Sequence, residues 1–377
     1  MLWITLRKQP YVKRGEIITT MKKRFKYFVY SLIFIVIISM FYVLIQSKKT
    51  ERNVYEKIAD GKKVDYLIVG DSIGRSSGAS NNQHKWFQLV ERSLTKKYGG
   101  SFTRHLVVQS GATAFEGLYK LKNNLSKDVD LVFIVFGEND RKYMDKEQFY
   151  FLYQSLLEEI VIRFPQAELV TITESSLDNE DFIHVIKQLS NNYYATNIDM
   201  RIPFQKSRLS TDQLTKDLVH PNDYGYYLYA QEVIDTMEKA IGEKKKVLTS
   251  SIPINEVTRL HMNTSYSYHS IDPSFRNEKG YYTSNKIGAN IEYHFSGSFL
   301  GVNVIRSEKG GMMDVFIDDN YVTTISTWWP FRKERSLYVT SGLANQDHTV
   351  TFQTSANKSR YNITDQQLIQ ISSIITN

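Results

Sequence analysis

The chain has 377 residues, room for two folded units, and 42% of them are hydrophobic, enough for a sizeable core. Its net charge of +7 gathers at the amino-terminal end: residues 1–63 carry +10 and the remaining 314 carry −3, so the folded part lacks the basic face that nucleic-acid binding needs. The absence of cysteine excludes disulfides, Cys-ligated zinc and thiol catalysis.

Residues 1–20 are polar and unpatterned, and Met21-Lys22-Lys23 looks like a natural start. Tyr27–Ile45 then runs for 19 residues without a charge, close to the roughly 20 apolar residues of a membrane-spanning helix. We therefore expect a single span over 27–46. Lys22, Lys23, Arg24 and Lys26 before it form a denser cluster than Lys48, Lys49 and Arg52 after it. The positive-inside rule thus puts residues 1–26 in the cytoplasm and the bulk of the chain outside. A cleaved signal peptide is the main rival reading, but the run is long and lacks an A-x-A-like site. A buried core helix would need neighbours covering all its faces. Residues 47–63 read as a polar tether.

From 64 to 245 the pattern alternates between strand and helix. Strands are expected at Asp65–Val69, His105–Val108, Leu131–Phe136, Glu168–Thr173 and near Ala195–Met200. Helices are expected within Lys85–Tyr98, over Glu116–Leu125 and Asp145–Phe164, near Asp181–Asn191, and over Tyr224–Ile241 with Asn222 as its cap. Five strands alternating with helices imply a parallel sheet covered on both faces, a flavodoxin-like three-layer α/β/α unit. Glu243-Lys244-Lys245-Lys246 is a charged break. Over 250–377 the pattern turns to short β-rich runs: Val257–Leu260, Ile291–Phe295, Phe299–Ile305, Met313–Ile317, Tyr321–Ser326, Ser336–Val339, Thr349–Gln353 and Leu368–Ile374. Gly, Asn and Asp separate them, as in an all-β sandwich.

The first strand stops at Gly70-Asp71-Ser72, and a serine at the carboxyl end of a central strand sits where open α/β sheets place their ligands. An activated hydroxyl needs a base within hydrogen-bond reach, and imidazole suits because it titrates near neutrality. His220, within Asp217-Leu218-Val219-His220-Pro221, is the candidate base. Asp217 can turn back to accept its other ring N–H, fixing the tautomer. His105 and His294 read as core or surface residues. No clustered His and carboxylates suggest a metal, and no cofactor is implied.

Gly70-Asp71-Ser72, Gly111, Gly137-x-Asn139-Asp140 and Asp217-x-x-His220-Pro221 together resemble the four sequence blocks of the SGNH (GDSL-type) hydrolases, over roughly Val64–Ile241. Gln109-Ser110 stands where Asn-x-Gly often leads into the second block. The resemblance implies a Ser72 acyl-enzyme. It also implies an oxyanion hole of the Ser72 and Gly111 backbone N–H groups and the Asn139 side-chain amide. Asp71 and Asp140 are expected to brace the turns. Phe295–Phe299, Val315–Asp319, Gly342-Leu343 and His348–Val350 resemble galactose-binding-like jelly rolls. Trp328 and Trp329 in that unit either stack on a sugar or pack internally.

These features imply a tethered serine esterase, with an O-acetylated surface glycan as substrate. An acetyltransferase using the same residues would need a membrane partner to supply its acyl donor. A lipid esterase would fit the membrane tether equally well. A non-catalytic glycan-binding protein would leave the serine and histidine idle.

Overall fold

The computed structural model describes residues 26–27, 29–40, 52–124, 128–247 and 259–377. Met1–Arg52 and Asn53–Asn377 are separate units. In the first, residues 26–27 and 29–40 are helical, and Phe34, Ile35 and Met40 are exposed. Among the described residues no helix is long and apolar enough to cross a membrane. Residues 41–46 of the expected span, residue 28 and the basic cluster before Lys26 lie outside the described residues.

The second unit opens with α1 (Val54–Ala59), where a polar tether was expected. The reason is local: Asn53 and Glu56 form a reciprocal capping box, and Val54, Tyr55 and Ile58 are buried. Five parallel strands follow: β1 (Lys63–Gly70), β2 (Ser101–Val108), β3 (Leu131–Val135), β4 (Glu168–Thr173) and β5 (Thr196–Asp199), in the order β2-β1-β3-β4-β5. This is a flavodoxin-like order. β1 shows why the sheet needs two covers, since Leu67 and Val69 enter one core while Val64, Tyr66 and Ile68 enter the other. The first core is closed by α3 (Ala114–Asn124), α4 (Lys146–Arg163) and α5 (Glu180–Asn192). The second is closed by α1, α2 (Trp86–Tyr98) and α8 (Asp223–Gly242). Between β5 and α8 lie the short α6 (Arg201–Ser207) and α7 (Thr211–Leu214).

The carboxyl-terminal half is antiparallel β, built as one folded sheet rather than from many short strands. The runs expected at Ile291–Phe295 and Phe299–Ile305 belong to a single strand, β10 (Asn290–Arg306). Those at Ser336–Val339 and Thr349–Gln353 belong to β13 (Lys333–Thr354). Register shifts at Gly297/Phe299 and Leu300/Gly301 let the pair change direction without ending. The first half of β10 pairs with β7 (Ser270–Ile271), its second half with β14 (Ile369–Thr376). β13 carries β11 (Met312–Ile317) and then β12 (Asn320–Ser326). β6 (Asn263–Ser265), β8 (Arg276–Glu278) and β9 (Tyr281–Ser284) complete the edge beyond β14. The expected run at Val257–Leu260 lies half outside the described residues, and 259–260 are not strand. Ile291, Tyr293, Leu300, Val302, Val315 and Phe352 form the inner core.

The outer face of the fold belongs to the α/β unit. Phe299, Tyr338 and Ile375 enter the core containing Phe115. Phe115 meets Phe299 and Tyr338 edge-on at 6.0 and 5.8 Å between ring centres. Gly301 makes room for it, since a Cβ there would lie 2.2 Å from Phe115 Cζ.

Candidate active site

Ser72 follows the buried end of β1, and Asn139 follows β3, its neighbour at the point where strand order reverses. Asp71 fixes the first turn. Its buried Oδ1 accepts from the Ile73 and Gly74 amides at 2.7 and 3.4 Å. Its Oδ2 accepts from Asn139 Nδ2 at 2.6 Å. One N–H of the Asn139 amide is therefore committed to orienting the side chain, which leaves the second for another acceptor. Asp140 ties two more loops together, accepting from Ala114 N at 2.7 Å and Gly137 N at 3.1 Å.

The His220 loop arrives from the other side. Asn222 caps α8, accepting from the Tyr224 and Gly225 amides, while its own amide reaches Gln213 O. Asp223 accepts from Ser80 N and Ser80 Oγ, binding the start of α8 to the serine loop. Gly78 allows the closest approach: a Cβ there would lie 2.1 Å from Pro221 O. His220 Nε2 lies 2.8 Å from Ser72 Oγ, and Nδ1 lies 2.7 Å from Asp217 Oδ2. Asp217 Oδ1 also accepts from the amides of Val219 and His220. Partial burial would raise the Asp217 carboxyl, but the His220 amide and ring hold it below its ordinary value. Leu218 stands at φ 67°, left-handed, inside this turn.

Gly111 lies in the loop after β2, which begins beside the Ser72 turn with Gln109 N bonded to Gly70 O. Its carbonyl accepts from Arg335 Nη2 at 3.0 Å, a contact supplied by β13. Arg335 also clamps Glu116 with Nε and Nη2, at 3.0 and 2.6 Å. Burial would raise the Glu116 carboxyl, but Arg335 and Lys120 hold it below its usual range. Trp329 packs over Gly111, 3.5 Å from where a Cβ would stand. Trp328 instead stacks on Tyr361 at 5.1 Å.

Sequence reasoning did not reach Arg335, nor Glu174. The buried Glu174 follows β4 and accepts from Glu138 N at 2.7 Å. Burial, then the charge of Asp71, push its carboxyl well above the ordinary range. Burial also raises Asp71, and it raises Asp140 to about 7. A cluster of possible metal ligands was also missed. His269, Glu292 and His294 bring ligand atoms within 4.8 Å of one another on the sandwich surface. Glu292 and His294 share one face of β10, and pairing with β7 brings His269 beside them.

Residues 68–228 match the model of the GDSL-like Lipase/Acylhydrolase family. No curated protein sequence matches the chain. Among solved structures, the chain is similar to a two-domain esterase active on acetylated mannans. The two share 16% identity with a TM-score of 0.63, over 86% of this chain and 93% of that one. The same esterase co-crystallised with mannopentaose gives the same values. At that identity the likeness is one of fold, and its extent takes in both halves of the second unit. An acetyl xylan esterase is 21% identical over 46% of this chain and 99% of its own, with a TM-score of 0.39.

Proposed function

With residues 68–228 forming a GDSL-like lipase/acylhydrolase domain, and the chain thereby an ester-hydrolysing serine hydrolase, we propose that it removes short acyl groups, foremost acetyl, from a polysaccharide outside the cell. The observation that carries the reading is the unbroken relay from Asp217 through His220 to Ser72, at 2.7 and 2.8 Å. Ser72 Oγ attacks the ester carbonyl as His220 takes its proton. The oxyanion is met by the backbone amides of Ser72 and Gly111 and by Asn139. The alcohol leaves with the proton returned by His220, and water resolves the acyl-enzyme by the same path.

The polysaccharide reading draws on the shared two-domain fold with an esterase active on acetylated mannans, and on the Trp329 side chain of the sandwich beside Gly111. Anchoring by residues 27–46, amino terminus inside, rests on the uncharged run and the basic cluster before it. The test offers p-nitrophenyl acetate and acetylated mannan to the full chain and to Ser72→Ala. Turnover and acetate release are expected to drop at least ~10⁴-fold in the variant. Equal rates would remove Ser72 from the mechanism. Membrane anchoring is checked by alkaline extraction of membranes, which an integral span resists.

A further inference from the structure

Beside Gly111 the two halves of the second unit enclose a pocket lined by Thr113, Glu116, Tyr143, Arg306 and Arg335 among others. In and beside it, three buried donors are unmet. Arg306 Nε, Arg335 Nη1 and Trp329 Nε1 are all buried and have no hydrogen-bond partner among the described residues. Each is a donor that cannot accept. Both guanidiniums lie over the Trp329 ring, with the Arg306 and Arg335 Cζ atoms 5.2 and 5.5 Å from its centre. Glu116 is the carboxylate here, and it is already bound by Arg335 and Lys120. Burial, then repulsion from Arg335, press Arg306 down to about 10. A buried donor left unmet is costly, more so when charged, so the set is matched by an acceptor-rich anion.

The geometry points to an acidic sugar subsite: Arg306, with Arg335 Nη1 and Trp329 Nε1, binds a carboxylate or phosphate group of the glycan whose ester is presented to Ser72. The inference rests on the esterase reading, because Gly111, which lines the pocket, is the residue that reading places in the oxyanion hole. It makes the substrate an anionic polymer and not a neutral mannan.

The test uses three matched sugars against the full chain: methyl α-D-galactoside, methyl α-D-galacturonate and methyl α-D-galactoside 6-phosphate. Each is measured as an inhibitor of p-nitrophenyl acetate hydrolysis and, separately, by its effect on tryptophan fluorescence, to which Trp329 contributes. At least one acidic sugar is expected to act at about tenfold lower concentration than the neutral one, and which one does separates carboxylate from phosphate. In Arg306→Met, or Arg306→Gln if the first does not fold, that advantage is expected to vanish. Equal action of all three sugars on the native chain overturns the inference, as does an advantage that survives loss of Arg306. Absence of Ser72-dependent hydrolysis would sink the esterase reading alone, since the fluorescence titration still reports binding.

Discussion

His220 is held from both sides, by Ser72 Oγ at Nε2 and Asp217 at Nδ1. Replacing Asp217 with Asn removes the acceptor that fixes the tautomer. In a buried triad that change costs about 10⁴ in kcat. Here the Asp217 side chain is 55% exposed, so solvent partly substitutes, and we expect kcat to fall by roughly 10²–10³ with KM little changed. Steady-state kinetics on p-nitrophenyl acetate check this. The buried carboxyls behind the site make a different prediction. Asp140 and Glu174 are raised in the folded chain, so the folded state holds protons that the unfolded state releases. The Asp140 contribution is complete below its unfolded value near 4 and is lost as pH rises through about 7, and Glu174, raised as well, acts in the same direction. Glu159 and Asp199, each buried yet held down to about 2 by the cations bonded to them, titrate below that window. The melting temperature is therefore expected to fall between pH 5 and 8. Glu174→Gln, which mimics the protonated acid, should flatten that fall and converge with the native curve at pH 5. Parallel curves across the range would show that Glu174 is not a proton holder.

The catalytic loop depends on α8 as much as on its own residues. Asn222 caps that helix and also reaches Gln213 O across the base of the loop carrying His220. Asn222→Ala is expected to cost about 1 kcal/mol of stability, seen as roughly 2–4 °C in melting temperature. A drop in kcat of about tenfold should accompany it, as small misplacements of a base are costly. This cap is legible in the sequence, because Asn before a helical run has a local reason to be there. So are the strand-end blocks, where a turn, a nucleophile and a base each demand particular residue types. Ser101–Arg104 of β2 is not, because an edge strand needs no apolar run to pair with β1. The continuity of β10 and β13 is hidden by the bulges that bend them. Arg335 and Glu174 carry no local signal at all. Their partners lie 219 residues away at Glu116 and 36 residues away at Glu138.

Arg335 joins the two halves of the folded unit at the Gly111 loop, so on the proposed mechanism the sandwich is expected to act on the reaction as well as on stability. Its guanidinium is bound to Glu116 and to Gly111 O, and both charged groups are buried. Breaking a buried pair by removing one partner costs about 3–5 kcal/mol, whereas replacing both with apolar groups is often neutral. Arg335→Met alone is therefore expected to melt far below the native chain. The double variant Glu116→Leu, Arg335→Met should recover most of that loss, since Lys120, left without Glu116, is 26% exposed and can reach solvent. Activity should follow neither single nor double stability. Gly111 O lacks its donor in both variants, so the Gly111–Ala112 peptide, next to the one that carries the proposed Gly111 N–H donor, is free to turn, and kcat should stay at least tenfold down even where the melting temperature has returned. Thermal melts and kinetics on the same two preparations separate the roles. Recovery of kcat together with stability would reduce the sandwich to a brace; stability without kcat would make β13 part of the machinery that orients Gly111.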